Sequence, residues 1–388
     1  MSQSSKYKIA VSAVAPIVLL TILIVFILGS GSSFLQFGTV LPEIYLEKID
    51  FVDSEIQVIV RNTGPIDVNV VVADVNDRIQ PAAIEPDNHL TRFETALVRI
   101  PYDWNEGQPY AIGLTTNDGT RFEKVVDAAF PSLQPDGELV GYFALIGTYV
   151  GIIPVMIGLL WLPFIKKLSQ NRYQFFLAFT IGLLLFLALD SLEEAFEISQ
   201  NNLADTFNGT LLIGMVTILT FFGLYFVSSQ LISKTKFSKI SAPVSISLMV
   251  AIGIGFHNLG EGLAIGAAVG LGNLALSTFL IVGFAIHNTT EGFAIVAPLA
   301  KTKSIIPKLI AMGLIAGTPA IFGAWIGGFF FSPFSAIIFL AIGAGAIFQV
   351  IISIILWQRR ENNFISNWPL MLGISLGLFV MYITSIFI

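Results

Sequence analysis

No cysteine occurs anywhere in the 388 residues. That removes thiolate metal sites, a disulfide framework and a soft site built for Cu(I). Charge is scarce as well, at 12% Asp, Glu, Lys and Arg against 55% hydrophobic residues. The few charges are unevenly spread: residues 41–137 hold 17 Asp and Glu but only 7 Lys and Arg. Elsewhere the bases are Lys6, Lys8, Lys166, Lys167, Arg172, Lys234, Lys236, Lys239, Lys301, Lys303, Lys308, Arg359 and Arg360, all at or between apolar runs. No basic face is left over, which excludes a nucleic-acid partner. What remains is apolar, and a mean hydropathy of +0.80 places the chain among integral membrane proteins with the lipid bilayer as solvent.

The apolar runs predict nine spans. The first covers Ile9 to about Gly29 and is too long for a signal-peptide core, so residues 1–33 are expected to be a cytoplasmic start and an uncleaved anchor. Residues 34–137 change character. Val, Ile and Thr fill short runs at Glu55–Val60, Val68–Val72, Thr95–Ile100, Ala111–Thr115 and Phe122–Val126, separated by turn clusters such as Asn62-Thr63-Gly64-Pro65 and Asn117-Asp118-Gly119. About seven strands in such a length suggest an immunoglobulin-like β-sandwich. His89 falls in its Asp87-Asn88-His89 loop and reads as part of a solvated turn. From residue 138 the pattern predicts an all-α transmembrane bundle with spans near 139–164, 174–195, 210–232, 243–271, 274–300, 305–331, 333–357 and 367–388. With nine spans, every base named above lies on one side, which obeys the positive-inside rule. The amino terminus is then cytoplasmic, and residues 34–137 and the carboxyl terminus are extracellular.

Two look-alike segments organise the bundle, GFHNLGEGLAIGAA and GFAIHNTTEGFAIVAP. Each carries His-Asn-x-x-Glu-Gly inside an apolar run. Positions i and i+4 share a helix face, so His257 with Glu261 and His287 with Glu291 each form one polar face. Neighbouring antiparallel spans with these faces together would surround one point with two imidazoles and two carboxylates, a donor set suited to zinc or a similar divalent ion. Hydrogen-bonding glue between helices explains Asn258 and Asn288. It does not explain two ionisable pairs in the same order, because each charge at membrane depth costs about 2.5–3.5 kcal/mol or more. A metal offsets that cost and fixes the protonation states.

These segments resemble the fourth and fifth transmembrane helices of the ZIP (ZRT/IRT-like protein) family of divalent-metal transporters, with similarity extending over roughly residues 139–388. The resemblance implies first-site ligands at His257, Glu261, His287 and Glu291, a second site flanked by Asn258 and Asn288, transport toward the cytoplasm and a homodimer. The chain departs from the family pattern in several places. Gly260 and Thr290 stand where many relatives have proline. Ala320 stands where a sixth-helix carboxylate is common. Only Gln349 and Ser353 follow where the seventh helix often brings a glutamate.

Near the end of the second predicted bundle span, Asp190, Glu193, Glu194 and Glu197 recur at i, i+3, i+4 and i+7. They are expected to form one acidic stripe at the outer mouth, with Asp190, Glu193 and Glu194 as an entrance that concentrates cations. The expected function is therefore transport of a divalent metal rather than enzyme catalysis, with Zn2+ first and Fe2+ or Mn2+ next. A metal-dependent intramembrane hydrolase and a metal-binding receptor without flux are the alternatives.

Overall fold

The structure, a computed structural model, describes residues 18–22, 25–26, 41–133, 135–202, 208–234, 242–270, 274–300, 302, 306–360 and 367–386. Of the anchor expected over Ile9–Gly29, residues 18–22 and 25–26 are helical, and the rest lies outside the described residues.

The β region comes first and contains nine strands. One sheet has the order β1-β2-β7-β5, from Ile44–Val52, Glu55–Asn62, Thr95–Pro101 and Ala83–Glu85. The other has β4-β3-β8-β9, from Arg78–Gln80, Val68–Val75, Tyr110–Thr116 and Arg121–Val126, with β6 (His89–Leu90) paired to β3. Alternation explains the arrangement. In β2 every second residue is buried, namely Ile56, Val58, Val60 and Asn62, and in β7 the buried set is Ala96, Val98 and Ile100. These meet Val70, Ala73, Val75, Ile112 and Leu114 of the other sheet in one apolar core, as period-two patterning requires. Five expected runs fall on β2, β3, β7, β8 and β9. The β3–β4 hairpin turns at Asn76 and Asp77, both at positive φ (52° and 61°), a primed turn built without glycine.

Eight helices long and apolar enough to cross a membrane follow among the described residues, as a multi-pass membrane protein requires: Gly137–Ile165 (α1), Gln170–Gln200 (α2), Gly209–Gln230 (α3), Pro243–Gly270 (α4), Leu276–Leu299 (α5), Ile306–Phe330 (α6), Pro333–Arg359 (α7) and Trp368–Ser385 (α8). A chain in lipid must satisfy its backbone internally, so helices are the natural form of these runs. α4 and α7 are the most buried, whereas α3 and α8 expose apolar faces that include Leu219, Phe222, Phe226, Met371 and Phe379.

Two spans are broken beside prolines, α1 at a π-turn and again at Leu160–Trp161 before Pro163, and α6 once. α1 passes through a π-turn over Thr148–Ile152, immediately before Pro154. Pro154 has no N–H for the carbonyl four residues back, that of Val150. α6 is interrupted between Ile306–Gly317 and Pro319–Phe330, at Thr318. The sequence predicts both spans as continuous, because apolar runs register span length and not local backbone bonding.

Candidate metal centre

His257 and Glu261 lie on α4, and His287 and Glu291 on α5, one helical turn apart in each pair. All four side chains are buried. His257 Nε2 is 3.4 Å from Glu261 Oε1 and 3.8 Å from Glu291 Oε1. His287 Nε2 is 3.8 Å from Glu261 Oε1 and 4.0 Å from Glu291 Oε1. One ligand atom from each residue lies within 4.8 Å of the other three. Metal bonds of about 2.0–2.2 Å separate tetrahedral ligands by about 3.3–3.6 Å. The closest pair already has that spacing, and the widest nitrogen–oxygen pair needs to draw in by about half an ångström.

The repeated motif has a second face. Asn258 and Gly262 follow His257 and Glu261 by one residue each, as Asn288 and Gly292 follow His287 and Glu291. On α4, Asn258 Nδ2 donates to Ala316 O at 3.1 Å, beside the break in α6. A methyl group added at Gly262 would collide with Ala320 O of the same span. On α5, Asn288 Nδ2 donates to Val150 O at 3.1 Å, the carbonyl that Pro154 leaves free in α1. A methyl group at Gly292 would collide with Val155 O. Each motif thus turns His and Glu toward the shared point, and Asn and Gly toward a broken neighbouring span. Asn288 Nδ2 also donates to Glu261 Oε2 at 2.8 Å, so it orients one of the carboxylates directly.

Many polar atoms around the shared point have no hydrogen-bond partner. They are His257 Nε2, Glu261 Oε1, both ring nitrogens of His287, both carboxylate oxygens of Glu291, and Oδ1 of Asn258 and Asn288. Leaving such groups buried and unpaired costs about 1–3 kcal/mol each, and more when they are charged. A divalent cation at the centre removes that cost for the four converging ligand atoms, and its chemistry matches theirs: two neutral imidazoles and two ionised carboxylates.

The acidic residues divide. α2 continues to Gln200 instead of ending near 195. Asp190 and Glu194 are half-buried, whereas Glu193 and Glu197 are exposed. The single stripe expected from spacing is thus two pairs with different surroundings. Sequence reasoning missed Ser191, which is buried, with Oγ 2.9 Å from His257 Nδ1. A lone serine between Asp190 and Glu193 gives no periodic signal of its own by which to find it. Gln349 and Ser353 bond each other on α7 at 2.7 Å. His89 is exposed on β6, with Nδ1 3.0 Å from Asn69 Oδ1.

Compared with protein-family models and with curated proteins, the chain matches none of them.

Proposed function

We propose that the protein is a membrane transporter of a divalent transition metal, with zinc the favoured ion and iron or manganese next, and that it is not an enzyme. The observation that carries this reading is the convergence of four buried ligand atoms without hydrogen bonds, from two helices inside an eight-span bundle. A hydrated ion has to shed its water to occupy such a site, and the two carboxylates supply the charge that compensates it. The ion is the cargo. It binds His257, Glu261, His287 and Glu291, and exposure of that point to each side in turn moves it across.

The two motifs resemble ZIP helices, and this supports uptake toward the cytoplasm, a homodimer, and the amino terminus and basic loops on the cytoplasmic side. Half-buried Asp190 and Glu194 on α2 suit a cation entrance, with Glu193 at its rim. The strand orders β1-β2-β7-β5 and β4-β3-β8-β9 support reading residues 34–137 as an immunoglobulin-like extracellular domain, since seven of these strands follow the two-sheet order of that fold.

The test is uptake of Zn2+, Fe2+ and Mn2+ into sealed liposomes holding the purified full chain. Protein-dependent entry of zinc that stops in Glu291→Ala is expected. Zinc bound but not moved would make the chain a receptor, and metal-dependent turnover of a lipid or peptide without flux would make it a hydrolase. Either result overturns the transporter.

A further inference from the structure

α2 contributes none of the four ligands, yet it reaches the site through one atom. Ser191 is 1% exposed, and its Oγ lies 2.9 Å from Nδ1 of His257. The other ring nitrogen, Nε2, faces the two carboxylates. We propose that Ser191 is the positioning residue that holds His257 as a metal ligand, by accepting a hydrogen bond from Nδ1–H and so presenting the Nε2 lone pair to the ion. This rests on the metal-site reading above.

A neutral imidazole has one N–H and one lone pair, and only the lone pair binds a cation. If the proton sits on Nε2, the ring points N–H at the ion and cannot ligate. Serine oxygen accepts a hydrogen bond as readily as it donates one. The contact therefore favours Nδ1–H whenever Nε2 is asked to bind metal, as outer partners of metal-bound histidines commonly do. It also fixes the plane of the ring, which would otherwise turn about its χ2 bond.

His287 has no such partner. Both of its ring nitrogens are buried without a hydrogen bond. The two motifs are alike in sequence, but α2 breaks their equivalence, leaving His257 the fixed imidazole and His287 the exchangeable one.

The test uses the full chain, purified in lipid nanodiscs, with Zn2+ as the probe. Ser191→Ala is expected to weaken zinc binding 10–100-fold, the range for loss of an outer partner of a metal-bound histidine. Ser191→Thr keeps the hydroxyl and is expected to restore most of it. Nitrogen NMR of the zinc-loaded protein supplies a readout that a packing role would not move. His257 should bind zinc through Nε2 with its Nδ1–H hydrogen-bonded and slow to exchange in the wild type, and fast to exchange in Ser191→Ala. Equal Nδ1–H shifts and exchange rates in the two proteins overturn the proposal. So does wild-type zinc affinity in Ser191→Ala when His257→Ala has lost it, a result that leaves the metal site standing. Wild-type affinity in His257→Ala itself overturns the metal site.

Discussion

The β region and the helical bundle treat buried polar groups in opposite ways. In the β region the buried polar side chains are Asn62, Thr63, Asp74 and Thr116, and each is bonded. Asn62 Nδ2 donates to Ile66 O at 2.8 Å and Leu90 O at 2.9 Å. Asp74 receives two bonds from Arg121, at 3.0 and 2.6 Å, and Thr116 Oγ1 bonds Asp118 at 2.5 Å. Even the glycine beside the ion pair has its reason, since a methyl group at Gly113 would collide with Asp74 Oδ2. At the α4–α5 site, by contrast, eight polar atoms of six buried residues have no hydrogen-bond partner. Arg99 Nε is also buried in the β region without a hydrogen bond, but it stands alone and lies 3.5 Å from Glu85 Oε2, whereas the open atoms of the site converge on one point. Satisfied groups specify a fold, whereas converging open ones are furnished for something that arrives later.

The largest expected effect tests that distinction at the site. Glu261→Ala and Glu291→Ala should each abolish zinc uptake, because each removes a charged ligand and leaves the rest of the cluster unbalanced. The double variant should cost less in binding free energy than the two single losses added, since one ion couples them. Zinc at about 100 times its dissociation constant should stabilise the wild-type bundle by about 2.7 kcal/mol. It should not stabilise either variant. Thermal melts with and without zinc check this. Equal stabilisation of Glu291→Ala would mean that the open atoms are structural after all, and the contrast with the β region would collapse.

A middle-sized effect sharpens the comparison from the other side. Asp74→Ala removes the partner of Arg121 and should destabilise the β region by about 1–3 kcal/mol. The lower end is expected, because the Arg121 side chain is 35% exposed and water takes over part of the lost bonding. Metal uptake should be unchanged. Chemical denaturation followed by Trp104 fluorescence, with the other four tryptophans replaced by phenylalanine, reads the first quantity and the liposome assay the second. A loss of uptake that tracks the loss of β stability would join the two regions into one mechanism.

How much of the molecule is legible in its sequence depends on whether the signal is periodic. The four candidate ligands are legible, because ionisable pairs doubled at i, i+4 inside apolar runs cost too much to be incidental. The eight bundle spans and five of the nine strands are visible for a related reason, as long apolar runs and as β alternation. β1 escapes because Glu47 and Lys48 interrupt its alternation at a register shift between Leu46 and Lys48. The breaks in α1 and α6 lie beside Pro154, Pro163 and Pro319, but hydropathy does not weigh a missing N–H. Ser191 is out of reach, since its role exists only when α2 is laid against α4. Asp190 and Glu194 are visible only as part of a stripe, which the packing of α2 divides.

The smallest expected effect separates the two asparagines, which sequence alone makes equivalent. Both donate to a carbonyl beside a helix break, so each loss should loosen a helix contact by the worth of one hydrogen bond, about 0.5–1.5 kcal/mol. Only Asn288 holds a ligand through a well-formed bond, at 2.8 Å to Glu261 Oε2, while Asn258 approaches Glu291 without forming one and gives its amide to Ala316 O. Asn288→Ala should therefore weaken zinc binding by about tenfold, the low end for an outer partner of a metal ligand. Asn258→Ala should shift the affinity a few-fold at most, through helix packing alone. Isothermal titration of the two variants with zinc decides between them. If the asparagines were themselves ligands of a second ion, as the family resemblance implies, each variant would instead lose one of two binding steps. If the losses are equal with a single step, the contact between Asn288 and Glu261 contributes nothing to the ion. The two motifs would then be as equivalent in energy as they are in sequence.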